Sequence, residues 1–425
     1  MKLWFRLSVW LLMAGLGYGV FTSLNPLLRT SQAALQNVEG RRETRSLPPA
    51  PNDYNFVHPA SIPCGDEGAD LSYKVALSPE QEKRAMEVYR RSLVILAHSH
   101  CVEPWDFEEM HRAGITAVIL KADTDGVNMV NGTRAYNRAD EDWVPRATRS
   151  LRRIQQMADK PDTDITTVGT VQDLRRAKRE GKVGVILSFE GAKPLVGKLD
   201  NVKYYYDLGV RELQLWWAVP NELKTPDGRQ FSHFGEEVIR EMNRLGIVID
   251  LSHMSGQAFG RAIELSQAPV IISHCSVGAL YDPPKKRAYE DSQKDLPYSG
   301  TDQLNDATIR AIAKNGGTIC VHFVTPDYIK ARHETKKATV VDLVDHMAYI
   351  RDLVGIEYVS LGADYFPERG WQWVEGVGRM SLLANVAREM VRRGFTNEEI
   401  AKVLGGNLVR VFEKAWQPAR SKVPA

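Results

Sequence analysis

Eight short apolar runs, rich in β-branched residues, recur along the chain between longer stretches with helical spacing. They are Leu93–Ala97, Ala117–Leu120, Val183–Phe189, Leu213–Leu215, Ile247–Leu251, Val270–Ser273, Thr318–Val321 and Val359–Leu361. Runs that are apolar on both faces suit parallel strands covered by helices, whereas a strand with one wet face would alternate. Helical patterns such as Gly235–Leu245 and Asp306–Lys314 separate them. The alternation predicts an α/β fold, a (β/α)8 TIM barrel over residues 79–417 with a few long insertions and a short tail at 418–425. A chain of 425 residues is then one large domain with N-terminal extensions.

Those extensions have their own character. Lys2 and Arg6 precede an uncharged run from Leu7 to Leu28. A basic segment ahead of an apolar one is the pattern of a secretory signal, and the run is also just long enough to span a bilayer. Ser23, Asn25 and Pro26 favour a signal peptide over residues 1–30. The lack of a crisp cleavage site beyond Ser31-Gln-Ala33-Ala34 favours an uncleaved membrane anchor. Either reading exports the protein, to a periplasmic or extracellular place or to a membrane face. Residues 31–78 are Pro-rich and aperiodic and read as a tether, with the folded body starting at Ser78-Pro79, a helix cap followed by proline at the first helical position.

Composition narrows the function. The first thirty residues hold Lys2, Arg6 and Arg29 and no acid, so without them the formal charge falls from +2 to −1. A nearly neutral body gives no reason to expect a nucleic-acid partner. A mean hydropathy of −0.31 excludes a polytopic membrane protein and leaves the N-terminal segment as the one expected membrane contact. Four cysteines without a CxxC spacing do not make a disulfide framework. Cys101 and Cys275 read equally as a disulfide across the rim of the barrel and as two small buried residues.

In such a barrel the chemistry belongs at the carboxyl ends of the strands. The first run ends in His98-Ser99-His100, the third in Glu190, the fifth in Ser252-His253, the sixth in Ser273-His274, and the eighth is followed by Asp364. Alternate residues of an extended segment project to one side, so His98 and His100 can reach one ion. Glu190 has two oxygens and can bridge to a second ion held by His253 and His274. Imidazole and carboxylate ligands suit two Zn2+ ions, with other divalent metals as alternatives.

At these residues the chain resembles the membrane (renal) dipeptidase family of binuclear zinc peptidases, within the wider amidohydrolase-like barrels. The resemblance spans most of residues 80–416. It is carried by ILSFEG around Glu190, EVIREMNRLGIVIDLSHMS around His253, VIISHCS around His274, LGADY around Asp364 and RRGFTNEEIAKVLGGNLVRVFE at Arg392–Glu413. It implies that His98, Glu190, His253 and His274 are metal ligands and that Asp364 handles protons. Three departures mark an atypical member. His100 replaces the aspartate of the family's HxD. Trp217 stands where a substrate-binding histidine is usual; an indole donates a hydrogen bond but cannot accept one. The arginine that holds the substrate carboxylate has no counterpart at Asp302-Gln303, leaving Arg287, or Lys285 and Lys286, in the Tyr281–Gln303 insertion as substitutes, against the commoner reading of a solvated loop.

The resemblance implies a zinc-dependent dipeptidase, with a metal-bridging hydroxide attacking the amide of a dipeptide or similar small substrate while Asp364 takes and returns the proton. It also implies a homodimer. Two other readings compete: a binuclear hydrolase of a non-peptide amide, lactam, lactone or ester, favoured by Trp217 and the absent arginine, and a non-catalytic exported binding protein, which would require a lost ligand or a lost Asp364.

Overall fold

The computed structural model describes residues 56–57, 64–124, 127–130, 133–136, 142–217, 221–225, 230–280, 303–326, 328–331, 337–367 and 371–417. All belong to one compact unit, Tyr54–Ala425. The leader, most of the tether, Arg287 and the tail lie outside the described residues. Among the described residues no helix is long and apolar enough to cross a membrane.

Each of the eight apolar runs is a strand: β1 (Ile95–Ser99), β2 (Ala117–Thr124), β3 (Val183–Glu190), β4 (Glu212–Gln214), β5 (Val248–Asp250), β6 (Ile271–Val277), β7 (Thr318–His322) and β8 (Val359–Tyr365). Every neighbouring pair is parallel, and β8 pairs with β1 through Ala363↔His98, so the sheet closes on itself. An additional short strand, Ile165–Thr167, joins the amino-terminal half of β3. The expected helices form at His233–Leu245 and Asp306–Asn315, each stopped by a glycine with positive φ, Gly246 and Gly316.

The floor of the barrel is built by the last helix, α1 (Asn407–Ala415). Its Leu408, Val411 and Phe412 pack with the inward residues Ile95, Ala97, Ala117, Ile119, Ile186, Val248, Ile271 and Cys320. Asn407 donates to the carbonyls of Ile356 and Val359, both at 2.7 Å, and Arg410 to those of Gly317 and Glu357, at 2.9 and 2.8 Å. Gly405 approaches β1 so closely that a Cβ would lie 2.3 Å from the Leu93 carbonyl oxygen, which explains the glycine in the turn before this helix.

Above that apolar floor lies a polar layer that the apolar runs did not reveal. Lys121, Glu212 and Asp250 are fully buried, with Lys121 Nζ 2.9 Å from Glu212 and 3.3 Å from Asp250, and Ser188 bonded to Glu212. Burial opposes the charge on Lys121, but the two carboxyls more than offset it and raise its pKa. Burial pushes Glu212 up to about 8. It acts on Asp250 too, where Lys121 overcomes it and brings the carboxyl down to about 2. Lys121 is thus shared by two carboxyls, with Asp250 held toward its ionised form and Glu212 pushed by burial toward its neutral one.

The folded body starts before Ser78. Ser78 does cap a helix at Pro79–Arg91 through a capping box with Gln81. But Cys64, inside the expected tether, is buried and disulfide-bonded to Cys101, with Cα atoms 6.0 Å apart. Of the two readings of Cys101 and Cys275, their disulfide does not form, and Cys275 is a buried free thiol. Gly65 donates to the Phe366 carbonyl and Asp66 to that of Gly378, so residues 64–78 are strapped to the rim.

Glu212 makes stability depend on pH. The unfolded chain ionises this group near 4.5 and the folded chain near 8. Its contribution is complete below the lower value and is lost as pH rises through the upper one. With metals chelated, the unfolding free energy of the wild type should fall relative to that of Glu212→Gln across this window; parallel pH profiles would refute the assignment.

Candidate metal centre

The carboxyl ends of the strands carry the predicted residues, and the backbone there departs from regular alternation. In β1, Ile95 and Ala97 face the barrel axis and Leu96 faces the helices. Strict alternation would turn His98 outward. A register shift between Leu96 and Ser99 reverses the parity and brings it in. A second shift, between Ile272 and Cys275 of β6, does the same for His274. His253 (φ 62°), Ala363 (φ 75°) and Asp364 (φ 61°) adopt left-handed backbone conformations. Such conformations cost non-glycine residues energy and cluster at functional sites.

These departures gather all six residues into one cluster, buried except for the half-buried His253. His98 Nε2 lies 3.0 Å from His100 Nε2, and His253 Nε2 lies 2.8 Å from His274 Nε2. Glu190 stands between the pairs. Its Oε2 is 3.4 Å from His100, and its Oε1 is 3.7 Å from His98, 3.5 Å from His253 and 4.0 Å from His274. Asp364 Oδ1 is 3.4 Å from His98 Nε2 and 3.3 Å from His100 Nε2. Gln214, at the end of β4, reaches Glu190 at 3.4 Å while donating to the Trp216 carbonyl at 3.0 Å.

The donor set fits a pair of metal ions. Nitrogen and oxygen ligands about 2.0–2.1 Å from one tetrahedral ion lie roughly 3.3 Å apart, close to the spacings here. Asp364 Oδ1 is buried and turns toward the ligand set, with the Nε2 atoms of His98 and His100 beside it. Among the described residues, two overlapping groups bring their donor atoms within 4.8 Å of one another: His98, His100 and Asp364, and His98, Glu190 and His274.

Protonation states support this. Burial, reinforced by the neighbouring His274, takes His98 well below its ordinary pKa, and burial brings His274 down to about 4. Both imidazoles are neutral near pH 7. Burial would raise Asp364, yet His98 and hydrogen bonds from His100 and His322 hold its carboxyl well below the usual range. Glu190 is likewise lowered against burial, by His253 and His100.

One residue escaped sequence reasoning. His322, at the end of β7, is buried with Nε2 3.1 Å from Asp364 Oδ2. Its Nδ1 accepts the Val324 N–H at 2.9 Å, so the ring proton sits on Nε2 and is donated to Asp364. Tyr328 stacks on the ring at 3.7 Å. The signal in the sequence was a histidine directly after the apolar run Thr318–Val321. Trp217 is half-buried and packs against the hydrophobic core, and its neighbour Trp216 carries Lys224 Nζ 3.6 Å above its ring.

Known proteins resemble this chain in both sequence and fold. Over 258 residues it is 30% identical to the dipeptidase tcpJ of Claviceps purpurea, an alignment covering 59% of this chain and 55% of that protein. Over 267 residues it is 31% identical to an uncharacterized dipeptidase of Schizosaccharomyces pombe, covering 60% and 59%. The chain thus spans less than two thirds of the length of these relatives. Among solved structures, an amidohydrolase from Pseudomonas aeruginosa has a TM-score of 0.65 at 22% identity, covering 78% of this chain and 99% of that one. A metallo peptidase from Rhodobacter sphaeroides, liganded with a phosphinate mimic of the dipeptide L-Ala-D-Ala, has a TM-score of 0.63 at 18% identity and covers 76% and 100%. These likenesses establish the barrel. A family model described as "Membrane dipeptidase (Peptidase family M19)" matches residues 83–423. A match of this extent places the chain itself: it belongs to the membrane dipeptidase family, peptidase family M19.

Proposed function

We propose that this protein is an exported metal-dependent dipeptidase, with His98, His100, Glu190, His253 and His274 holding two zinc ions and Asp364 handling protons. The observation that carries the reading is the position of Glu190, which offers one oxygen toward His100 and the other toward the His253–His274 pair. When bound, two such ions polarise a carbonyl and lower the pKa of water. Asp364 is the group suited to take a proton from the attacking water and return it to the leaving amine. Its Oδ1 faces the ligand set, and its Oδ2 is held by His322. His100 in place of an aspartate leaves the site one negative charge poorer than an HxD site.

Export is supported by the basic and apolar leader and by the Cys64–Cys101 disulfide, which belongs in an oxidising compartment. We place the protein outside the cytoplasm, held by its N-terminal segment or released from it, and infer a homodimer from the resemblance. For the substrate carboxylate we keep Arg287, and for a donor to the substrate, Trp217.

A second reading, hydrolysis of a non-peptide amide, lactam, lactone or ester, is favoured by one observation. The described end of β4 presents Gln214, Trp216 and Trp217 rather than a histidine.

Three measurements test these readings. Elemental analysis should find about two zinc ions per wild-type chain, fewer in Glu190→Gln and His253→Ala, and an undiminished number in Asp364→Asn, whose turnover should drop by about 10²–10⁴-fold. An Asp364→Asn protein with full turnover would remove Asp364 from its role. His322→Ala should lose about tenfold or more in kcat with metal retained, and His322→Gln, which keeps a donor, should recover part of it; equal losses in both would refute anchoring by hydrogen bond. Finally, dipeptides with L and D carboxyl-terminal residues, assayed beside N-acyl amides, lactams and esters, should show dipeptides hydrolysed best; a lactone or lactam preferred by orders of magnitude would favour the second reading.

A further inference from the structure

Beneath the candidate ligands lies a line of hydroxyls with no role in the chemistry above. Ser273 Oγ is fully buried and touches three polar atoms: His98 Nδ1 at 3.0 Å, His274 Nδ1 at 3.0 Å and Ser252 Oγ at 3.1 Å. Ser252 Oγ continues to Asp250 Oδ1 at 2.7 Å and accepts the Ser273 N–H at 2.9 Å. Asp250 Oδ1 also accepts the Ser252 N–H at 2.9 Å, and Oδ2 faces Lys121 Nζ at 3.3 Å.

The directions of these bonds follow from a count of protons. Four contacts make up the line: Asp250 to Ser252, Ser252 to Ser273, and Ser273 to each imidazole. An ionised carboxylate can only accept, so Ser252 spends its single proton on Asp250. Ser252 then accepts from Ser273, whose own proton is thereby used. Ser273 keeps two lone pairs, and each contact with a histidine is satisfied only if the imidazole donates. All four contacts are filled in one arrangement alone, with His98 and His274 both protonated on Nδ1. Their Nε2 lone pairs then point toward Glu190.

We propose that Ser273 is a positioning residue that sets the tautomers of His98 and His274 together, and that the Asp250 carboxylate, acting through Ser252, fixes the direction of its hydrogen bond. Metal-binding histidines commonly have the second nitrogen engaged by a partner that fixes ring and tautomer, each ring with its own. Here one hydroxyl serves two rings from two strands, one beside each half of the proposed metal pair. An isolated neutral imidazole prefers its proton on Nε2, where it would block a cation. The buried line makes that form leave a contact unfilled at each ring, so the site is preset before any ion arrives.

The inference rests on the metal-centre reading for its purpose but not for its structure, and the test separates the two. Zinc affinity would be measured by chelator competition for the wild type, Ser273→Ala and Ser252→Ala. The tautomers of the metal-stripped full-length protein would be read from 15N chemical shifts of labelled histidine. Ser273→Ala should weaken zinc by about 10–100-fold and release His98 and His274 to mixed tautomers. Ser252→Ala should show a smaller loss, because the Ser273 proton is then free to turn toward a ring. Wild-type zinc affinity in Ser273→Ala would overturn the proposal, as would His98 or His274 carrying its proton on Nε2 in the wild type. Should Ser273→Ala fail to fold, the wild-type spectrum alone decides. A wild type that binds no zinc yet shows both rings protonated on Nδ1 would sink the metal reading and leave the hydroxyl line standing.

Discussion

A closed parallel barrel lets a strand address its axis only with every second side chain, and that constraint governs the whole rim. The lower half obeys it: Ile95, Ala97, Ala117, Ile119, Ile186, Val248 and Ile271 alternate inward and fill the floor. The upper half must place adjacent and alternate residues of several strands around one point. The register shifts in β1 and β6 and the left-handed residues at His253, Ala363 and Asp364 are the local breaks that make this geometrically available. The regular, heavily packed half supplies the stability against which those strained residues are held.

How much of this could be read from the residues follows the same division. The apolar runs mark all eight barrel strands because burial on both faces leaves a composition signal that needs no tertiary knowledge. The rim histidines and Glu190 are legible because each lies at, or within a few residues of, the end of such a run. His322 follows one as well, but a lone histidine beside the run Thr318–Val321 carries no partner in its own neighbourhood; Asp364 lies forty-two residues away. Lys121, Glu212 and Asp250 were hidden for a related reason. A single charged residue beside or within an apolar run has no partner in its own neighbourhood, and only closure of the barrel turns these three toward one another. Cys64 was obscured by its setting, since Pro-rich, aperiodic sequence describes a strap fixed to a surface as well as a free tether.

The polar layer between floor and rim gives the electrostatics of the site a foundation. Buried charge is tolerated there because Lys121 stands between two carboxyls, Asp250 held toward its ionised form and Glu212 pushed toward its neutral one. The same Asp250 terminates the hydroxyl line that reaches His98 and His274. Stability and site preparation therefore share a carboxylate: the group that ends the hydrogen-bond chain is also half of the ion pair that makes the interior habitable.

The helix Asn407–Ala415 closes the bottom of the barrel, and among the described residues it is the last helix in chain order. Its Asn407 and Arg410 join the amino-terminal ends of strands that were synthesised long before, including the carbonyls of Gly317, Glu357 and Val359. A ribosome that has released everything up to Leu404 has released all eight staves but no base, and the inward apolar residues of the first strands still face an open end. Completion of the barrel therefore waits on residues that follow all eight strands in the chain, so the first strands are sealed by the element most distant from them in sequence.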